Sequence, residues 1–317
     1  MPSQTSYSQQ QTLLRCPKKY EYQYEKRIRP KKTDARFLLG RAVHCFLEHY
    51  YAALAEQPQN RDSAYQLGRN ALEAYLQHNF PQDDESFAQA ELAKGMIEHY
   101  HQWASEHDRF TVLGTEIPFA LDIDGTEFRG YMDVLVQVGD KIWVMEHKTA
   151  SQINVRHTLL DKQISVYVMA GRALDIPIEG AIYNVLRKAV PKAPRQLKNG
   201  KLSKSLDNNI TYESYLAAIH ELGHDPAYYQ DVLDELKERP NTFFHREFVP
   251  RTADAVRQVW EDIRKTEALK QALAGANIFP RNTTKDCNWD CPYYDLCLAE
   301  LEGADVDLIF QEKYYID

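Results

Sequence analysis

Apolar and polar residues alternate along this chain with two different periods, and the changes of period mark its elements. Phe37, Val43, Phe46, Leu47, Tyr50 and Leu54 recur at three- and four-residue steps, which predicts a helix over 37–54 ended by Pro58. Ahead of it, residues 6–28 predict a short helix and then a Tyr-rich one, parted by Cys16-Pro17. Further helices are expected over 64–78 and 87–107. The period then shortens to two, predicting strands over 110–122 and 127–138 around an Asp124-Gly125 turn, and over 141–148. A helix over 159–174, a strand over 178–186, two helices between 212 and 239, a strand over 242–250 and a helix over 254–273 complete the pattern. Residues 188–209, rich in Lys, Pro, Asn and Gly, read as a mobile loop too polar to pack. The strand–helix–strand run favours a mixed α/β sheet. The chain divides into an N-terminal basic segment (1–35), a helical region (36–109), a core (110–274) and a C-terminal cysteine cluster with an acidic tail (275–317).

Within the core, Gly130–Lys148 reads as a hairpin, because Gly139-Asp140 between two apolar runs suits a two-residue II′ turn. Val138 then faces Lys141, and counting outward sets Asp133 opposite Glu146. Cross-strand Cβ atoms on one face lie about 4.5–5.5 Å apart. Side chains alternate along a strand, so Lys148 shares the face of Glu146. Two carboxylates and a lysine converge. Like charges so placed are costly unless one is protonated or a cation lies between them. An isolated Glu-x-Lys is more often a solvated sheet face with an incidental ion pair.

Length (317 residues) fits one large domain or two moderate ones, and 44% apolar with 26% charged residues is ordinary for a soluble globular protein. No apolar run approaches the roughly 20 residues needed to span a bilayer. The polar start MPSQTSYSQQQ lacks the apolar core of a signal peptide. A cytoplasmic protein is expected, with no membrane partner. Five cysteines in a reducing compartment point to metal binding before disulfides. The net charge of −8 argues against a surface coated for nucleic acid, but the charge is uneven. Ten basic residues against three acids lie between Arg15 and Arg41, and seven against none between Arg187 and Lys204. Basic stretches in an acidic protein fit a groove for a polyanion, though solvated loops read the same way.

Other candidates surround the hairpin. His44, within Gly40-Arg-Ala-Val-His44, is a possible ligand on a helix where a lone His is more often structural. Glu116 belongs to the strand before the hairpin and can reach the same sheet end, although counting leaves its direction open. Gln163 and Tyr167, four apart on the helix after Lys148, share one face. In order, Gly40-x-x-x-His44, Gly130-x-x-Asp133, Glu146-x-Lys148 and Gln163-x-x-x-Tyr167 resemble the motif series of RecB-like nucleases in the PD-(D/E)xK superfamily. The chain is also similar to the iron–sulfur branch of that group, which includes CRISPR-associated and phage exonucleases and AddB-type nuclease domains. Such proteins carry one cysteine near the N-terminus and three near the C-terminus, here Cys16 with Cys287, Cys291 and Cys297. The first C-terminal gap is three residues, where two is common in the branch. The resemblance covers about 6–298, leaving 56–108 and 188–209 unmatched.

The resemblance implies a restriction-endonuclease-like α/β fold: a mixed central sheet flanked by helices, an N-terminal helical insertion, and a cluster joining the two termini. Four thiolates hold either zinc or an iron–sulfur cluster, and the resemblance favours a structural [4Fe–4S] cluster. It makes His44, Asp133, Glu146 and the His147 backbone carbonyl, with Glu116 as a further candidate, ligands of Mg²⁺ or Mn²⁺. The metal would activate water, Lys148 would orient that water or stabilise charge on phosphorus, and Gln163 and Tyr167 would position Lys148 or the DNA backbone. The implied activity is that of a metal-dependent DNA exonuclease, acting on single strands and often 5′→3′, with possible endonuclease action. Such proteins are prokaryotic or phage-encoded. Lys18, Lys19, Arg41, Arg187 and Lys188 are candidate phosphate contacts. With no Walker A pattern, any helicase partner is a separate chain, as in recombination or CRISPR adaptation complexes. Cys45 reads as a buried apolar thiol. A non-catalytic DNA-binding iron–sulfur subunit and a zinc-stabilised interaction protein remain the alternatives.

Overall fold

The computed structural model describes residues 4–32 and 34–317, the side chain of residue 36 aside. The chain opens with a short strand, β1 (Gln4–Thr5), and helices α1 (Tyr7–Arg15) and α2 (Pro17–Tyr20), the latter widening into a π-helical turn over Glu21–Glu25. Strand β2 (Ile28–Pro30) leads to three long helices, α3 (Ala35–Glu56), α4 (Arg61–Asn79) and α5 (Asp84–His107). Asn60 and Asp83 cap α4 and α5 by accepting from Ser63 N and Ser86 N, which starts each helix where its apolar repeat begins. Strands β3 (Thr111–Ile123), β4 (Thr126–Val138) and β5 (Lys141–Ala150) form a meander. Then come α6 (Lys162–Ala173), β6 (Ile178–Arg187), α7 (Tyr212–Glu221), α8 (Gln230–Glu238), β7 (Phe244–Pro250) and α9 (Ala253–Ala276). Short helices α10 (Cys287–Asp290), α11 (Tyr294–Glu302) and α12 (Val306–Lys313) and strand β8 (Tyr314–Ile316) close the chain.

The sheet runs β1-β4-β5-β6-β7, with β3 also paired to β4. It is mixed: β5–β6 and β1–β4 are parallel, the other pairs antiparallel. Period-two alternation on β5 and β6 splits the core. Trp143, Met145, Ile182 and Leu186 pack beneath α3, α4 and α5, whereas Leu135 and Val144 pack beneath α6 and α9 on the other face. The mixed sheet flanked by helices agrees with the sequence reading.

Two expectations need correction. The termini are joined, but not by an iron–sulfur cluster. Strand β2 pairs antiparallel with β8, Ile28 opposite Ile316, and Tyr22, Ile28, Tyr293, Leu296 and Tyr314 form a small core between them. Cys16, Cys287, Cys291 and Cys297 are free thiols, and among the described residues no group of three or more His, Cys, Asp or Glu side chains could hold a metal ion. Instead Cys297 Sγ accepts from Arg281 Nε at 3.3 Å and Cys287 Sγ from Thr284 N at 3.4 Å. The same finding removes the zinc alternative. Second, residues 188–209 pack: Leu202 is buried with Tyr215, Ile219 and Tyr229 of the α7–α8 region, and Leu206 and Ile210 join them. Those three apolar residues, spaced four apart among polar ones, supply the contact that composition hides.

Candidate active site

The site forms where β4 and β5 part. Their ladder runs inward from Val138↔Lys141, and its outermost pair is Val134↔Met145. Asp133 lies one step beyond, so the His147 N–H has no strand carbonyl facing it and donates to Asp133 Oδ2 at 2.9 Å. Counting from the turn sets Asp133 opposite Glu146, one step past the last ladder pair, and does not foresee the bond to the His147 N–H; Gly139 has the positive φ (63°) that a leading turn glycine supplies. On the α6 face, four side chains close a ring of hydrogen bonds. Lys148 Nζ donates to Glu146 Oε1 (2.6 Å) and to Gln163 Oε1 (3.2 Å). Gln163 Nε2 donates to Tyr167 Oη (2.6 Å), and Tyr167 Oη donates to Glu146 Oε2. Helix α6 is aimed at the sheet by its cap, Asp161, which accepts from Gln163 N at 3.0 Å.

His44 arrives from α3, its Nδ1 3.9 Å from Asp133 Oδ2. Gly40 leaves room for that approach, because a Cβ there would make a tight 3.2 Å contact with Thr149 Oγ1 of β5. Glu116 sits in β3 at the register position facing Asp133, between the pairs Ile117↔Met132 and Thr115↔Val134, with φ at 48°. A non-glycine residue there is strained and marks a functional position often enough to matter. Burial raises its pKa, and the charges of Glu48 and Glu146 raise it further. Glu48 was missed by the sequence reading. Its signal was its spacing, one helical turn past His44.

Electrostatics follow from crowding. Asp133 is pushed well above the ordinary carboxylate range by burial and then by Glu146. Burial opposes the charge on Lys148, but Glu146 outweighs it and its pKa is raised. Burial holds His44 below the usual imidazole value. The expected Mg²⁺ or Mn²⁺ ligand set is not assembled. Both Glu146 oxygens are engaged by Lys148 and Tyr167, Asp133 is engaged by the His147 N–H, and no described group of three such residues could hold a metal. The expectation of a metal-dependent exonuclease with a structural cluster therefore lacks its cofactor sites.

The basic candidates separate. Lys19 and Arg41 line a cleft of about 1260 Å³ that reaches His44. Lys18 is spent on Glu21 (2.7 Å) and Glu300 (2.9 Å). Arg187 donates to Asn208 O and Asn209 Oδ1 and stacks on Phe243, holding the neighbouring arm. Lys188 lies at the end of β6, its N–H on Ala150 O. Cys45 lines the same cleft, half-buried, with Sγ 3.7 Å from Ala71 O. The Arg36 side chain lies outside the described residues.

The model of the PD-(D/E)XK nuclease superfamily matches residues 4–298. The chain belongs to that superfamily. The match covers the six-stranded sheet, α6 and the cleft except Tyr315, so the ring at Glu146 and Lys148 lies within the matched region. Among solved structures, a candidate exonuclease from Eubacterium rectale is similar at 12% identity and TM-score 0.39, over 80% of this chain and 86% of that one. Protein VC1899 from Vibrio cholerae is similar at 13% identity and TM-score 0.21, over 69% and 60%. No curated protein matches. Among the described residues no helix is long and apolar enough to cross a membrane.

Proposed function

We propose that this superfamily member is a RecB-like deoxyribonuclease that hydrolyses phosphodiester bonds. One observation carries the reading: Glu146, Lys148, Gln163 and Tyr167 form a closed hydrogen-bonded ring beside Asp133. A purely structural ion pair needs no such ring. In this site Lys148 brings positive charge to the phosphate as negative charge builds on phosphorus, and the acidic pole at Glu146 and Asp133 orients the attacking water. Gln163 and Tyr167 hold Lys148 and Glu146 in register, so the groups are pre-organised before substrate arrives.

The cleft supports DNA in single-stranded form as the substrate. Phe37, Trp289 and Tyr315, 49, 58 and 48% exposed, line it together with Lys19 and Arg41. Exposed rings accept unstacked bases while basic side chains follow the backbone. The test is cleavage of end-labelled single-stranded and duplex DNA in Mg²⁺, in Mn²⁺ and in EDTA, with Glu146→Ala and Lys148→Ala beside wild type. Each variant should lose about 100-fold or more of the cleavage rate. Wild-type rates in both variants, or no cleavage by wild type in any arm, overturn the reading.

A further inference from the structure

Behind the site, on the α3–α5 face of the sheet, three strands place polar residues side by side. His147 of β5 is the register partner of Asn184 on β6, and Asn184 that of Arg246 on β7. His147 and Asn184 are buried, at 2 and 0% exposure. Arg246 has only donors, so the 3.4 Å contact from its Nε fixes Asn184 Oδ1 toward it. The Asn184 amide NH₂ then points the other way, to Tyr100 Oη at 2.8 Å and His147 Nδ1 at 3.0 Å. His147 Nδ1 is thereby an acceptor, and its ring proton sits on Nε2, a buried atom with no partner. The donation runs on in one direction: Tyr100 Oη and Tyr51 Oη are 2.6 Å apart, and Tyr51 Oη donates to Asp108 Oδ2 at 3.4 Å. Asp108 closes the circuit by pairing with Arg246 and with Arg61 of α4.

We infer that Asn184 and Arg246 are positioning residues for the hydrolytic site, acting through His147. The inference rests on the nuclease reading for its catalytic consequence. Its logic is local. The His147 peptide N–H holds Asp133, and the His147 ring is clamped by Asn184 at one edge and by Tyr51, stacked at 5.6 Å, on its face. With one ring orientation and one tautomer, the peptide between Glu146 and Lys148 has one setting. Displacing a reacting group by about 1 Å costs roughly 100-fold in rate. The circuit also ties the helical layer to the chemistry, because Arg61 and Asp108 flank α4 and α5.

The experiment reads tautomer and turnover separately. ¹⁵N-histidine spectra of wild type, with His147→Gln used for assignment, should show His147 protonated at Nε2. Asn184→Asp, which offers only acceptors, should move the proton to Nδ1. Asn184→Leu removes the clamp, and its folding is checked by melting temperature and near-ultraviolet circular dichroism. In folded variants kcat should fall by about 100-fold with KM changed less than about twofold. A purely structural role would instead lower the active fraction in step with stability. Proton on Nδ1 in wild type, or wild-type kcat in the folded variants, overturns the inference. Wild type that cleaves no DNA but shows the expected signature defeats the nuclease reading and leaves the clamp on His147 standing.

Discussion

The carboxylate of Asp161 accepts from two phenols, Tyr7 Oη and Tyr183 Oη, each at 2.6 Å, while the same residue caps α6. Burial works against its charge, but the hydrogen bonds from Tyr183, Tyr7 and the Gln163 backbone outweigh burial and lower its pKa. A carboxyl whose folded pKa is depressed contributes stability above its unfolded pKa and loses it as pH falls through the folded value. Asp161→Asn should therefore cost about 2 kcal/mol near neutral pH. In urea titrations the gap between wild type and variant should shrink as pH drops below about 4. A gap independent of pH would mean that the phenols recognise shape and not charge. Because Asp161 aims Gln163 and Tyr167, the same variant should also slow cleavage more than it weakens DNA binding.

Strand β4 carries Asp133, and Gly130 is what lets β3 lie against it there. Phe119 faces Gly130 across the pair, and a Cβ at 130 would stand 2.4 Å from the Phe119 ring. Gly130→Ala should therefore destabilise by about 1–3 kcal/mol, and Phe119→Leu in the same chain should recover part of the loss. Chemical denaturation of the two single variants and the double tests this, and strictly additive costs would refute the steric account. The hairpin itself was legible because period-two alternation and Gly139-Asp140 determine its register, and register places Asp133 against the β5 end. Glu116 was legible as a candidate but its direction was not: its left-handed backbone falls between the pairs Ile117↔Met132 and Thr115↔Val134, and nothing local to its sequence encodes that. Asn184 and Arg246 were hidden for a related reason. Asn184 reads singly as one polar residue in the apolar half of β6 and Arg246 as the middle of the polar run His245–Glu247, and only the three-strand register makes them neighbours of His147.

How the molecule keeps its two ends together bears on what four outlying cysteines can and cannot say. Sequence spacing brings Cys16 toward Cys287, Cys291 and Cys297 only through a family resemblance, whereas packing accounts for the junction with ordinary contacts. Tyr293 is the centre of it: 2% exposed, its ring lies 5.5 Å from Tyr22 and 6.0 Å from Tyr314, and its hydroxyl donates to Ile28 O at 2.8 Å. Arg15 with Asp290, and Lys18 with Glu300, add ion pairs across the same seam. Exposed pairs such as the first contribute little, about 0–1 kcal/mol, so the aromatic core should dominate. Tyr293→Ala should cost about 3–5 kcal/mol locally, and Tyr293→Phe, which loses only the hydrogen bond, about 1 kcal/mol. Under limited proteolysis the alanine variant should be cut first within residues 16–32 and after residue 287, leaving the sheet intact, while the phenylalanine variant should resemble wild type. Equal resistance of the alanine variant would show that something other than this core holds the ends. Cutting confined to one terminus would show that the two ends are anchored separately to the sheet, because segments that hold each other must be released together.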